Sequence, residues 1–151
     1  MRRIVFVCGL FLIAVTPCNG DAGPRPFEWG AGVKLTTPQW LSGSVVYFIP
    51  TGLDWCDVAI QAEPGLAGGK FQVGIGHAIG YWGGALGYAV KVSALQTWGD
   101  PLWCEPDQTY VGLEAEIMVI FVNANLGIYG RVAGDAADQD VLVSGGIGLG
   151  F

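Results

Sequence analysis

The sequence predicts an all-β protein, an eight-stranded antiparallel up-and-down transmembrane β-barrel. Three observations carry that prediction. First, the chain ends V-L-V-S-G-G-I-G-L-G-F, with Val141, Val143, Ile147, Leu149 and Phe151 on alternate positions and Leu142, Ser144, Gly146, Gly148 and Gly150 on the others. That is the period of a strand, and eleven residues match the roughly 9 to 11 that a tilted membrane-spanning strand needs. Second, 52% of the chain is hydrophobic and only 13% charged, with a mean hydropathy of +0.46, yet no apolar run beyond the first twenty residues is long enough for a membrane helix. Hydrophobicity spread over short alternating segments suits a lipid-facing barrel. Third, many of the 25 glycines fall inside the alternating segments, as at Gly74, Gly76, Gly80, Gly127, Gly146, Gly148 and Gly150. Glycine weakens a strand interior unless backbones must approach closely, which a narrow crowded barrel demands.

The N-terminus reads as a secretory leader over residues 1–20: Arg2 and Arg3, an apolar run from Ile4 to Val15, then small and turn-forming residues. The run of about 12 falls short of the roughly 20 residues a spanning helix requires. A lipoprotein reading through Cys18 is disfavoured, because Thr16 and Pro17 stand where small residues belong. Residues 21–151 then form one barrel domain. Loss of Arg2 and Arg3 takes the net charge from −6 to −8, which argues against nucleic-acid partners and against charge-driven docking on anionic lipid.

Strand one is expected at Trp29 to Thr36, with Trp29, Ala31, Val33 and Leu35 on its apolar face. A connection from Thr37 to Gly43 containing Pro38 leads to a short second strand, Ser44 to Ile49, ended by Pro50, Thr51 and Gly52. The third strand is Asp57 to Glu63, followed by a turn from Pro64 to Gly69. The fourth is Lys70 to Tyr81, with Phe71, Val73, Ile75, His77, Ile79 and Tyr81 on one face. A tight turn at Trp82 to Gly84 precedes the fifth, Ala85 to Trp98, whose apolar face carries Leu86, Tyr88, Val90, Val92 and Trp98. After the polar stretch Gly99 to Gln108 comes the sixth, Thr109 to Phe121, which sets Val111, Leu113, Ala115, Ile117 and Val119 against Tyr110, Gly112, Glu114, Glu116 and Met118. A turn at Asn123 to Asn125 leads to the seventh, Leu126 to Ala133, and Gly134 to Asp140 connects it to the closing strand.

An even strand count, a short turn at each end of one side and longer polar loops on the other resemble the bacterial outer-membrane barrels. The closing strand resembles theirs as well. In that family a terminal aromatic preceded by alternating apolar residues is the signal read by the barrel-assembly machinery, and here those residues are Val143, Ile147, Leu149 and Phe151. The resemblance to the small OmpA/OmpX-type barrels is one of pattern over the mature chain. It implies an outer-membrane location, contact with outer-membrane lipid and the assembly machinery as a partner; the surface partner is not identified. With the C-terminus in the periplasm, Trp29, Tyr81, Phe121 and Phe151 fall at the inner membrane edge and Trp40 and Trp98 at the outer, as interfacial girdles would. Asp100, Glu105, Asp107, Asp135, Asp138 and Asp140 then occupy the two outward loops nearest the C-terminus.

The phase of each strand sends Lys34, Glu63, Lys91, Glu114, Glu116 and Arg131 to the glycine side, so three positive and three negative charges share the interior. A mutually paired set is tolerable there if its hydrogen bonds are satisfied. An eight-stranded interior is about filled by side chains, so no open pore is expected. Glu114 and Glu116 are a candidate acid and base pair; facing lysine and arginine, they read better as structural.

His77 is the sole histidine and falls on the lipid face. Barrels that trim lipid A carry a His and Ser pair on one strand, but the residue two beyond His77 is Ile79. No catalytic, cofactor or metal site is expected: zinc lacks clustered ligands, and the G-x-G patterns introduce no helix. Cys56 and Cys104 fall at opposite ends of the barrel, although bridged Cα atoms lie within about 7 Å, so free thiols are expected. Three functional readings compete. A non-enzymatic outer-membrane barrel with a structural or surface role through acidic loops stands first. A lipid-modifying barrel enzyme would need a nucleophile beside His77, and Ser93 falls on the inward set. A soluble lipocalin-like periplasmic binder would reverse the two faces.

Overall fold

A computed structural model describes residues 29–53, 55–81, 84–135 and 139–150. Eight antiparallel strands close into an up-and-down barrel: β1 (Trp29–Thr36), β2 (Trp40–Leu53), β3 (Cys56–Gly65), β4 (Gly68–Tyr81), β5 (Gly84–Thr97), β6 (Thr109–Ile120), β7 (Val122–Ala133) and β8 (Val141–Gly150). Each strand pairs with its sequence neighbours, and β1 pairs with β8 through Val33 opposite Leu149, Lys34 opposite Gly148 and Leu35 opposite Ile147. Closure removes the unpaired edges that an open sheet would expose.

The two faces are sorted as the alternation demands. Along β6 the exposed Leu113 (62%) adjoins the buried Glu114 (1%). Among the described residues thirty-three large hydrophobic side chains are exposed and nine hydrophobic residues are buried, while three lysines and two glutamates are buried. That is the reverse of the usual distribution in water, where charged side chains are almost never fully buried unless paired.

Three expected boundaries are corrected. The second strand is not the short segment Ser44 to Ile49: β2 begins at Trp40 and runs through Pro50 to Leu53, where the register with β3 shifts. Polar Ser42 and Ser44 look like loop residues, yet both are buried and face the lumen, so period two continues through them. The turn expected at Asn123 to Asn125 lies instead at Phe121, beside Ile120 in a left-handed conformation (φ 60). Asn123 and Asn125 sit within β7 with buried side chains; residues that favour turns in water serve here as lumen polar groups. The expected connection Pro64 to Gly69 shrinks to Leu66 and Ala67.

The glycines of β8 have a steric reason. A Cβ on Gly148 would lie 2.6 Å from both Lys34 Cγ and Val33 O, and one on Gly146 2.3 Å from Thr36 Cγ2. The closing strand therefore stays bare so that the side chains of β1 can enter the lumen.

The girdle positions fall at strand ends. Trp40 and Trp98 lie exposed at the end bearing the two long loops, and the Trp40 indole donates to Asp100 O at 2.8 Å. Trp29 begins β1 and Phe121 stands exposed at the opposite end. Tyr81 ends β4, while Phe151 and the leader lie outside the described residues.

Candidate functional site in the barrel lumen

Alternation turns the polar members of seven strands inward, and their charges pair. Lys34 Nζ lies 2.7 Å from Glu116 Oε1 and 3.6 Å from Glu63 Oε2. Lys70 Nζ lies 2.9 Å from Glu114 Oε2 and 3.6 Å from Glu63 Oε1, and Lys91 contacts Glu116 Oε2. Neutral donors complete the carboxylates. Glu114 accepts from Asn125 Nδ2 at 2.8 Å and from the Tyr129 hydroxyl at 2.5 Å, and Glu63 accepts from Ser42 Oγ at 3.0 Å. Lys91 also donates to Gln61 Oε1 at 2.7 Å. Full pairing is what makes six charges tolerable in so narrow a space.

Five of the six residues expected in this network are in it: Lys34, Glu63, Lys91, Glu114 and Glu116. Arg131 is the correction. Its guanidinium is at the barrel rim, 2.6 Å from Asp140, whose side chain is 84% exposed; with Arg131 near the end of β7, its reach is toward the loop. Lys70 supplies the third buried ammonium instead. Sequence reading missed Lys70 because it opens a strand, although it shares the parity of inward Gln72 and Gly74. Asn125, read as a turn residue, was hidden for the reason given above.

The lumen has two halves. Toward the long loops it is closed by Leu95, Tyr110, Tyr129 and Leu142, all buried and packed together. Toward the opposite end it opens as a cavity of about 600 Å³, walled chiefly by Val46, Phe48, Ala59, Ala89 and Met118, with Gln61, Lys91 and Glu116 at its floor. Sequence reading missed this cavity, since the lower half of β2 was read as a weakly alternating segment.

No sequence-family model matches the chain, and no curated protein or solved structure matches it either.

The remaining reactive groups do not assemble into a catalytic set. Glu114 is saturated by Lys70, Asn125 and Tyr129 and shut off from solvent, which leaves it no access to a substrate proton. His77 Nδ1 lies 3.4 Å from Asp57 Oδ2 without forming a hydrogen bond. The ring is half-buried, not openly exposed on the outer face, because β3 ends near Asp57, the partner of Gly76, and leaves room beside it. Ser93 is fully buried on the lumen side and bonded to Gln72, so it cannot serve His77 as a nucleophile. Cys56, at the start of β3, and Cys104, in the loop before β6, are free thiols. Burial pushes the Cys104 thiol up to about 11. No group of three His, Cys, Asp or Glu residues suited to a metal ion occurs among the described residues.

Proposed function

We propose that this chain is a small outer-membrane β-barrel protein, not an enzyme, with a plugged interior and a structural or surface-interaction role carried by its acidic outer loops. The observation that supports it is the continuous apolar exterior, in which Val33, Val73, Val92, Leu113, Ile128, Val143 and their neighbours surround a charged lumen. Water would leave that exterior unsatisfied, whereas hydrocarbon matches it and a closed barrel leaves no backbone group unpaired in lipid. Trp40 and Trp98 at one end, with Trp29 and Phe121 at the other, suit the two interfaces. The exposed carboxylates Asp100, Glu105, Asp107, Asp135 and Asp140 lie beyond the strands at the Trp40 end. The buried plug of Tyr110, Tyr129, Leu95 and Leu142 favours a barrier over a pore.

Fractionation of expressing bacteria, followed by electrophoresis of boiled and unboiled samples, tests this reading. Recovery with outer membranes and heat-modifiable mobility is the expected result; a freely soluble periplasmic protein overturns it. In planar bilayers the purified protein is expected to give no steady conductance, and stable channel steps would overturn the plugged interior.

A further inference from the structure

We propose that the open half of the lumen is a binding site for a compact, uncharged apolar alcohol. The cavity, about 600 Å³, lies within the roughly 300 to 1,000 Å³ typical of small-molecule sites. Its walls are hydrocarbon and aromatic: Val46, Phe48, Ala59, Ala89 and Met118, with Trp29 beside them. At the floor stands one partly open charged group. The Glu116 side chain is 16% exposed, while those of Lys34 and Lys91, which hold it, are each 1% exposed.

That asymmetry selects the ligand's head. Glu116 Oε1 accepts from Lys34 and Oε2 accepts from Lys91, but a carboxylate oxygen has two lone pairs, so acceptor capacity remains facing the cavity. A ligand must therefore donate a hydrogen bond. Two ammonium groups already neutralise the carboxylate, so an added cation meets Lys34 and Lys91 with no charge left to balance it. An anion meets the carboxylate itself. A hydroxyl supplies the donor without either conflict, and a rigid hydrocarbon body fills the walls. The site lies within the barrel, so the inference does not depend on the membrane assignment.

Met118 offers a clean reporter, since Met1 and Met118 are the only methionines of the chain. The folded protein, labelled with 13C-methyl methionine and held in lipid nanodiscs, is titrated with 1-adamantanol, and in parallel with adamantane-1-carboxylate and 1-aminoadamantane. The alcohol is expected to shift the Met118 methyl resonance saturably, with both charged analogues at least tenfold weaker. Ala89→Phe, which fills the cavity, is expected to abolish the shift; should it not fold, Val46→Trp fills the facing wall for the same test. Absence of a saturable shift, equal or tighter binding of a charged analogue, or a shift that persists in the folded filled variant overturns the proposal. None of these outcomes bears on heat-modifiable mobility, which tests the membrane reading separately.

Discussion

Lys34 on β1 and Glu116 on β6 meet at 2.7 Å although β7 and β8 separate their strands in the sheet. The contact is a chord through the barrel, not a rung between neighbours. Lys70 on β4 and Glu114 on β6 form a second chord at 2.9 Å, across β5. Backbone ladders fix each strand to its neighbours, and these chords tie the far walls together, so the cross-section is held by charge as well as by the sheet.

Substituting Lys70 with methionine should therefore be costly. It leaves Glu63 and Glu114, both fully buried, short of a counter-charge, and breaking one side of a buried pair costs about 3–5 kcal/mol. Asp140→Asn removes a partner that is 84% exposed, and exposed pairs are worth about 1 kcal/mol or less. Urea unfolding in lipid vesicles measures both, and equal losses would contradict the network.

Gly148→Ala should loosen the closing seam between β1 and β8. Its Cβ would stand 2.6 Å from backbone Val33 O, and overpacking of that kind typically costs about 1–3 kcal/mol. Gly43→Ala, with nothing within 4 Å of its Cβ, is the matched control and should leave the folded band on unboiled gels unchanged.

Much of the fold was legible because a barrel has only two faces. The parity of Val111 to Val119 against Tyr110 to Met118 gave strand, orientation and lumen content together, and the same parity places Ser93 inside. What escaped did so for one physical reason: turn chemistry was read as it operates in water. Asn123, Asn125, Ser42 and Ser44 are polar, and Pro50 breaks most strands, but a polar lumen reverses the meaning of the first four and a register shift accommodates the last. The network's third lysine was legible from the parity of Lys70. The tilt that brings Lys70 to Glu114 and leaves Arg131 at the rim was not, because stagger between strands is a property of the closed sheet.

Leu113→Arg discriminates the solvent around the barrel. Leu113 is 62% exposed near the middle of β6, and a lipid-facing arginine near the bilayer midplane costs about 2–4 kcal/mol, whereas a water-facing surface substitution usually stays within about 0.5 kcal/mol. Unfolding titrations in vesicles decide between them.

Both thiols of residues 21–151 are expected to react in unfolded, unreduced protein, giving two per chain by thiol titration; none would indicate a bridge between Cys56 and Cys104. In the folded state Cys104, its thiol pushed up to about 11 by burial, should react slowly at pH 8 and accelerate only as the pH approaches 11, because the thiolate is the nucleophile. A Cys56→Ser variant isolates that profile, and rapid labelling at pH 8 would refute it.

The cancellation of Lys34, Lys70 and Lys91 by Glu63, Glu114 and Glu116 has an electrical meaning. A voltage across a membrane acts on each elementary charge with about 2.3 kcal/mol per 100 mV, but on a rigid, balanced set the opposing forces sum to nothing. The plug carries no gating charge, and an applied potential gives it no reason to move.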